Sequence, residues 1–487
     1  MKNYKALILL IIVSFLTTSC FEDNDDNQIS ASSINDFVWK GMNSWYNWQS
    51  EVPDLSDTKD DNSSEYAAFL NQTSNPEAFF NGLIFQYGIT DRFSWFVEDY
   101  IEQQQAFQGI SKSHGIKYQS VQLSNGDIII YVRYVADNSP ASAANIKRGD
   151  IINAINGTVL NTSNFNNVVN GLFEDTVTLS FVSENGGTLT FLEDKSITAT
   201  VISENPVYLN KIFNDVNGKK VGYLVYNGFR SSYNDELNAV FSFFKNEGID
   251  ELILDLRLNG GGSVATSAYL SSMIYANAGI EEFASLKFNS KHTEENGSYF
   301  FANTLDIYDS NDNKIDTEAI NRLNTLNRLY VLTSHSTASA SEMVINGLKP
   351  YMNAVKIVGT TTYGKNVGSI TLYDAPTKNY TDRASANPSH TYAMQPIVFQ
   401  IFNKNGESDY TQGFVPDIEV KEHEYWNNIL PFGDENEVVL KAALDDIRGI
   451  VTKDSSQKKI GSKFLDLPLL SENKFEKDMY IDHAFFN

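Results

Sequence analysis

Apolar side chains recur at helical spacing near the start of the chain. Phe37, Met42 and Trp45 follow one another at intervals of three to five positions within residues 33–106. This spacing predicts a small helical domain whose aromatic residues form its core. From residue 107 to 205 the pattern changes to short runs of alternating β-branched residues, which predicts a β-rich domain.

The next part, residues 206–425, alternates strands with amphipathic helices. Leu252–Leu256 is a nearly continuous apolar run, which is typical of a strand buried on both faces, and Asp235–Asn246 carries one apolar stripe. This alternation predicts an α/β layered core. The last segment, residues 426–487, is predicted to be helical and to carry no chemistry. The expected fold class is therefore a multidomain α/β protein.

Composition excludes several classes of protein. The 487 residues suffice for about three domains, and 42% of them are hydrophobic, so the chain can fold. A formal net charge of −24 repels phosphate backbones and argues against nucleic-acid binding. One cysteine excludes a disulfide framework. The six histidines are scattered without an HExxH motif, so we expect no metal site and no cofactor.

The lone cysteine ends a predicted signal peptide, residues 1–19. Lys2 and Lys5 precede an apolar run over residues 6–16, which is too short to span a bilayer well but typical of a signal-peptide core. Small residues then lead to Cys20. This arrangement resembles a bacterial lipoprotein signal, and the resemblance implies a lipid anchor on Cys20. An uncleaved anchor and a signal cut elsewhere are the alternatives.

An acidic stretch follows the cysteine. Four carboxylates lie within residues 21–27 and predict a solvated tether over residues 20–32. Acidic residues directly after a lipidated cysteine also resemble the surface-export signals of some Gram-negative lipoproteins. The expected location is thus the cell envelope of a Gram-negative bacterium, with the protein lipid-anchored in the outer membrane on its periplasmic or surface face. A plain flexible linker is the alternative.

Within the β-rich part, residues 139–160 read SPASAANIKRGDIINAINGTVL and resemble a PDZ domain. The resemblance implies that an extended chain end adds as a strand to an exposed sheet edge. It also implies a loop whose backbone amides hold the terminal carboxylate of that chain end. The candidate loop consists of Ser113, His114, Gly115 and Ile116. A purely structural spacer is the alternative.

Three motifs in the α/β part carry candidate chemistry. LDLRLNGGGS, residues 254–263, takes a buried strand into three glycines at a helix start; no Gly-Lys-Ser/Thr follows, so these glycines suit an oxyanion hole rather than a phosphate loop. STASASE, residues 336–342, places small residues around a serine at a helix N-terminus, whose positive potential stabilises an oxyanion. TYGKNVGS, residues 362–369, places a lysine beside glycines.

Together with the PDZ-like stretch before them, these motifs resemble the C-terminal processing peptidases, the Ser/Lys family also called tail-specific proteases. The resemblance spans roughly residues 81–420. It implies a nucleophile, a general base and backbone oxyanion donors, which fall in that order on Ser339, on Lys365, and on Gly261, Gly262 and Ala340. Ser369 stands where the family often has a glutamine that helps to position the lysine.

The implied function is a serine endopeptidase that acts on proteins or peptides through an acyl-enzyme. Lysine is a base only when neutral, and burial favours its neutral form. Two alternatives stay open. One is a catalytically silent peptide-binding lipoprotein, which Ser369 favours. The other is histidine-based catalysis, since His335 lies four residues before Ser339.

Overall fold

The structure of the protein is a computed structural model that describes residues 32–309, 313–323, 325–326, 328–450, 462–465 and 477–481. The predicted signal peptide, Cys20 and all but the last residue of the acidic tether lie outside these residues. In the described part of the chain, no helix has both the length and the apolar character needed to cross a membrane.

The N-terminal part is helical, as predicted. The side chains of Ser32, Asn62, Asn75 and Asp99 each accept a hydrogen bond from a backbone N–H in the first turn of the next helix, and this capping fixes where that helix begins. The elements are Ser33–Trp45 (α1), Ser63–Leu70 (α2), Pro76–Gly82 (α3), Trp95–Val97 (β1) and Tyr100–Phe107 (α4), with 3-10 helices at Gln49–Glu51 and Pro53–Leu55.

The middle domain, residues 110–203, is a β-rich unit around its own apolar core. Its elements are Ile110–Ser113 (β2), Ile116–Leu123 (β3), Ile128–Val135 (β4), Pro140–Ala143 (α5), Ile151–Ile155 (β5), Thr158–Val159 (β6), Phe165–Val168 (α6), a 3-10 helix at Val169–Phe173, Thr176–Asn185 (β7), Thr188–Thr198 (β8) and Thr200–Ser203 (β9). Gly115 has φ 78°, and a Cβ there would lie 2.2 Å from Ser139 Cβ, so only glycine fits this turn.

The α/β core that follows contains two six-stranded sheets. Its strands are Val207–Val216 (β10), Lys219–Tyr226 (β11), Glu251–Asp255 (β12), Gly262–Ser263 (β13), Glu282–Phe288 (β14), Gly297–Phe300 (β15), Thr304–Tyr308 (β16), Lys314–Ala319 (β17), Arg328–Thr333 (β18), Ala354–Gly359 (β19), Val367–Ser369 (β20), Leu372–Tyr373 (β21), Ala393–Gln395 (β22), Ile397–Asn403 (β23) and Ile418–Glu419 (β24). Its α-helices are Asn234–Glu247 (α7), Val264–Ile274 (α8) and Ala340–Leu348 (α9), and its 3-10 helices are Ser231–Tyr233, Thr293–Glu295, Thr377–Tyr380, Arg383–Ser385 and Glu422–Asn428.

The first sheet has the order β10-β11-β12-β18-β19-β24 and is parallel from β11 onward. Both of its faces are buried. Leu254 and Val331 pack in the large apolar cluster that includes residues of α7, α8 and α9. Ile253 and Leu332 point to the opposite face and pack in a second cluster. The interpretation of this apolar run as a strand buried on both faces is confirmed, and so is the α/β fold class.

The last part of the chain departs from the prediction of helices over residues 426–487. Among the residues described there, one α-helix, Val438–Arg448 (α10), covers the second face of the first sheet. Two further stretches are strands, Ser462–Leu465 (β25) and Met479–Tyr480 (β26). The helical prediction is wrong for both, because each pairs with strands that are distant in sequence, and such pairing overrides local propensity.

Strand β26 is part of the second sheet, which has the order β13-β26-β20-β23-β14-β15. Strand β25 joins the edge of the middle-domain sheet, which runs β25-β3-β4-β5-β7-β8. A three-stranded sheet of β1, β22 and β21 connects the helical N-terminal part to the core. The last described residues therefore complete sheets in two different domains.

A buried charge network fixes the middle domain against the core. The Arg257 guanidinium is 2% exposed and pairs with Asp255 at 2.7 Å, Glu437 at 2.9 Å and Glu422 at 3.1 Å. Arg148 of the middle domain also pairs with Glu422. Buried charges are tolerated when each is paired in this way. The network lies at the start of the glycine motif and orients the strand that leads into it.

Candidate active site

Ser339 occupies the sharp turn between β18 and α9, where it is the N-cap residue of the helix. Its backbone has φ 66° and ψ −120°, in a region that residues with a side chain rarely adopt. Such a conformation costs about 1–3 kcal/mol and persists where the surrounding structure imposes it. The side chain is fully buried, and among the described residues its Oγ has no hydrogen-bond partner. The structure thus holds a buried hydroxyl at the positive end of a helix.

Glu342 holds this turn against the lysine loop. Its fully buried carboxylate accepts hydrogen bonds from the backbone N–H groups of Ser339 at 2.9 Å, Lys365 at 2.8 Å and Gly364 at 2.7 Å. A fourth hydrogen bond comes from the Thr362 hydroxyl at 2.6 Å. Burial raises the pKa of Glu342 to about 7, although these four donors favour the ionised form. One carboxylate therefore positions both residues of the predicted dyad.

The Lys365 side chain is 1% exposed. Its Nζ donates to the backbone carbonyl of Lys477 at 2.8 Å and lies 3.4 Å from Asp478 Oδ1. The Phe93 ring centroid is 5.0 Å away. Burial lowers the pKa of Lys365, and the Asp478 carboxylate opposes this shift. Within the described residues, no hydrogen bond joins Lys365 Nζ to Ser339 Oγ.

The glycine motif lies directly beside the serine. A Cβ on Gly261 would be 2.6 Å from Ser339 Cβ, and a Cβ on Gly262 would be 2.1 Å from the Phe229 carbonyl oxygen. Both glycines have positive φ, 118° and 134°. The Gly261 N–H donates to Asn259 Oδ1 at 2.9 Å, so in this conformation it is not directed at a ligand. Ala340 is the first residue of α9. Gly261 and Ala340 thus lie next to Ser339, but the Gly261 N–H is bonded to Asn259.

Ser369 lies in the same cluster but does not hold the lysine through any described hydrogen bond. Its hydroxyl is within 2.9 Å of Asp478 Oδ1 and 3.0 Å of the Met479 carbonyl oxygen. It also accepts a hydrogen bond from Gln395 Nε2 at 3.0 Å. Ser369 and Lys365 are therefore connected through Asp478, which contacts both.

The predicted carboxylate-binding loop lies in the middle domain, between β2 and β3. Ser113 Oγ accepts a hydrogen bond from the Gly115 N–H at 2.9 Å, and a ring nitrogen of His114 lies 3.2 Å from the Asp175 carbonyl oxygen. Ile116 begins β3. No hydrogen bond between described residues joins this loop to the Ser339 cluster.

His335 lies on the loop before Ser339, with its ring 5.1 Å from the Tyr363 ring. It lines a cavity between the middle domain and the core, together with Arg133, Ser334 and Ser336. No group of three or more His, Cys, Asp or Glu side chains in the described ranges could hold a metal ion.

Glu342 and Asp478 are two residues of this cluster that the sequence motifs did not single out as functional. Glu342 follows Ser339 by three positions, which is the spacing of a capping box, and that pattern could have revealed it. No comparable pattern surrounds Asp478. Its place in the site follows from strand pairing over a long stretch of sequence.

Comparison with known proteins agrees with this geometry. The chain matches the domains described as peptidase family S41, over residues 220–420, and as the peptidase S41 N-terminal domain, over residues 33–95. The protein therefore belongs to peptidase family S41, and the resemblance to C-terminal processing peptidases is confirmed.

Its relatives include a carboxyl-terminal-processing protease of Picosynechococcus, 26% identical over 56% of this chain and 63% of that protein. The chloroplastic carboxyl-terminal-processing peptidase 2 of Arabidopsis thaliana is 24% identical over 52% of this chain. This protein thus covers 63% and 48% of the lengths of these relatives. A crystal structure of a Bacteroides fragilis protein assigned to the S41 proteases covers 85% of this chain and 98% of that chain, with a TM-score of 0.65 and 27% identity.

Proposed function

We propose that the protein is a serine endopeptidase that cleaves polypeptides, with Ser339 as nucleophile and Lys365 as general base. The observation that carries the proposal is Glu342, whose carboxylate bonds to the backbone of both residues. Membership of a family of serine peptidases supports it. Burying a lysine is costly, and burial of Lys365 favours the neutral amine that a general base needs.

The reaction follows from the chemistry of the two groups. The neutral Lys365 amine removes the proton of Ser339 Oγ while that oxygen attacks the peptide carbonyl carbon. The negative charge that develops on the carbonyl oxygen lies at the N-terminus of α9, next to the Ala340 N–H. The lysine ammonium then protonates the leaving amine, which leaves an acyl group on Ser339. Water, deprotonated by the same lysine, hydrolyses this acyl-enzyme.

Cleavage of casein by the wild type, Ser339→Ala and Lys365→Ala tests this mechanism. We expect each variant to lose several orders of magnitude in kcat/KM, and the double variant to lose little more than either single one, because the two residues act as a unit. Ser389→Ala, at an exposed serine, is the matched control. Equal activity of wild type and Ser339→Ala would contradict the mechanism.

For the middle domain we propose capture of substrate chain ends, as its resemblance to PDZ domains implies. Among the strands of the middle domain itself, β3 lies at the edge of the sheet and begins at Ile116 of the candidate loop, and strand addition at such an edge gives affinity through backbone hydrogen bonds. Peptides with a free or an amidated C-terminus discriminate this role from that of a spacer. We expect amidation to raise KM with little change in kcat. Equal KM values would support the spacer.

We also propose that a lipid on Cys20 anchors the protein in the outer membrane of a Gram-negative bacterium, with a periplasmic or surface location. The sequence around Cys20 supports this anchor. Cys20→Ala should release the protein from membrane fractions or leave it unprocessed. Membrane retention of the variant with normal signal removal would contradict the proposal.

A catalytically silent peptide-binding protein is the second candidate. It is favoured by Ser369, whose hydroxyl contacts Asp478 and Gln395 rather than the lysine. In that case the wild type would bind unfolded polypeptides but cleave none, and Ser339→Ala would bind them with the same Kd.

A further inference from the structure

We propose that two C-terminal stretches, residues 462–465 and 477–481, bind in the substrate path of the protein's own active site and inhibit the enzyme until they are displaced. The inference rests on the proposed peptidase function and extends it to the regulation of the same site. It stands on two strand additions and one set of contacts to Lys365, all within the described stretches 462–465 and 477–481.

The first strand addition is on the middle domain. Strand β25 pairs antiparallel with the edge strand β3, from Ser462 opposite Leu123 to Leu465 opposite Ser120. Gln119 Nε2 donates to the Leu465 carbonyl oxygen at 3.1 Å, and Leu465 packs against the domain core. This is the edge at which a captured chain would add. The protein's own segment thus takes the place proposed for substrate.

The second strand addition is in the catalytic cleft. Strand β26 runs parallel to β13 on one side and to β20 on the other, with Tyr480 opposite both Ser263 and Ser369. Met479 is fully buried, and the Tyr480 ring stacks on Phe107 at 3.9 Å. Strand β13 belongs to the glycine motif, and β20 directly follows Lys365. The segment therefore lies between the strand that carries the glycine motif and the strand that follows the lysine loop.

The contacts of Asp478 place this strand at the reacting groups. A Cβ on Gly261 would be 2.7 Å from the Asp478 carbonyl oxygen and 2.8 Å from Ser339 Oγ, so both oxygens border the same glycine. The Asp478 carboxylate accepts from Ser369 Oγ at 2.9 Å and lies 3.4 Å from Lys365 Nζ. Ser339 is also fully buried, so a substrate carbonyl cannot reach it in this conformation.

The segment also engages the base directly. The two hydrogen bonds of Lys365 Nζ described above both go to the segment, one to a carbonyl and one to a carboxylate. An ammonium group makes these bonds well, and an ammonium cannot accept the serine proton. Inhibition thus has two components, which are exclusion of substrate and stabilisation of the inactive protonation state of the lysine.

Two variants of the chain test the inference through casein cleavage. Truncation after Glu476 removes the strand in the cleft, and Asp478→Asn in the full chain removes the charge that faces Lys365. We expect kcat/KM to rise at least tenfold on truncation and severalfold for Asp478→Asn. Asp194→Asn, at an exposed carboxylate on β8, is the control and should match the wild type. Unchanged or lower kcat/KM in a folded truncated protein would overturn the inference.

A binding experiment separates failure of this inference from failure of the proposed function. A labelled peptide with the sequence of residues 473–487 is added to the truncated Ser339→Ala protein, and anisotropy is measured. We expect saturable binding, with at least tenfold weaker binding of the same peptide carrying Asp478→Lys. Absence of binding overturns the inference. If the peptide binds this variant but the truncated protein with Ser339 intact cleaves no casein, the proposed peptidase function is overturned instead.

Amide exchange in the full chain decides the case even where truncation prevents folding. We expect the amides of Met479 and Tyr480 to exchange through local opening, faster than those of the central strand β23, and faster still in Asp478→Asn. Exchange at the rate of β23 in both proteins would identify β26 as a permanent part of the sheet and would contradict displacement.

Discussion

Glu342 accepts a hydrogen bond from the backbone N–H of Lys365 at 2.8 Å, although the two residues lie on different elements of the core. A buried carboxylate that holds a loop in this way makes the position of the lysine depend on the charge state of the glutamate.

Removal of the Glu342 carboxylate should change both activity and pH dependence. Because burial raises its pKa from 4.5 to about 7, the folded state binds a proton more tightly than the unfolded state. The free energy of unfolding should therefore fall as pH rises from 4.5 to about 7, by about 3 kcal/mol in total. Urea unfolding at pH 5, 6 and 8 measures this slope.

The matched variant for this prediction is Glu342→Gln, which cannot ionise. The free energy of unfolding of this variant should not fall over that pH range. Its kcat/KM should be about 100-fold lower, because the NH₂ group of the glutamine would face backbone N–H groups that are themselves donors. An identical slope in wild type and Glu342→Gln would show that another group titrates.

With Lys365 as general base, kcat/KM should rise with pH. Burial lowers the pKa of Lys365, so the neutral base becomes populated below the ordinary lysine range and activity should increase through that pKa. Lys365→Arg should fail almost as badly as Lys365→Ala, because guanidinium stays protonated. Steady-state kinetics from pH 6 to 10 give the profile. Near-normal turnover by Lys365→Arg would exclude lysine as the base.

Ser339→Gly should be more stable than Ser339→Ala and equally inactive. At φ 66° and ψ −120° a side chain is strained, and glycine relieves this strain. We expect a difference in the free energy of unfolding of roughly 1 kcal/mol in favour of glycine. Guanidinium unfolding of both variants measures it. A more stable alanine variant would show that the turn is not strained at this residue.

Gly262→Ala should impair both folding and activity. Its Cβ would lie 2.1 Å from the Phe229 carbonyl oxygen, so β13 would have to move away from the serine. Gly218→Ala is the matched control, since Gly218 also has positive φ but nothing lies within 4 Å of its Cβ position. We expect the control to lose about 1 kcal/mol and keep full activity. Equal losses in both variants would assign the effect to backbone conformation alone.

Much of the core could be predicted because its determinants are local. An apolar run such as Leu252–Leu256 is visible in the sequence itself, and the structure buries it on both faces of the first sheet. Ser339 and Lys365 are predicted from the family resemblance that the ordered motifs carry, and the structure shows Glu342 bonded to the backbone of both. The oxyanion prediction was less complete, because the N–H of Gly261 is used by the neighbouring Asn259 side chain, which sequence order does not show.

The C-terminal segment could not be predicted for a physical reason. A strand of two residues such as Met479–Tyr480 has almost no periodicity of its own, and only its partners make it a strand. The same holds for Asp478, a common surface residue type that is buried here by contacts with Lys365 and Ser369. Local pattern carries no information about such partners.

The pairing of Gly262 with Met479 also has a consequence for the order of folding. The two residues are roughly 200 positions apart in sequence, so the contact closes a very long loop and should form late. The first sheet and its helices need no such closure to assemble. A newly made chain would therefore pass through an interval in which its serine and lysine are already in place and its cleft is open. On the proposed function, a nascent molecule in that interval would cleave polypeptides without inhibition by its own C-terminal strand.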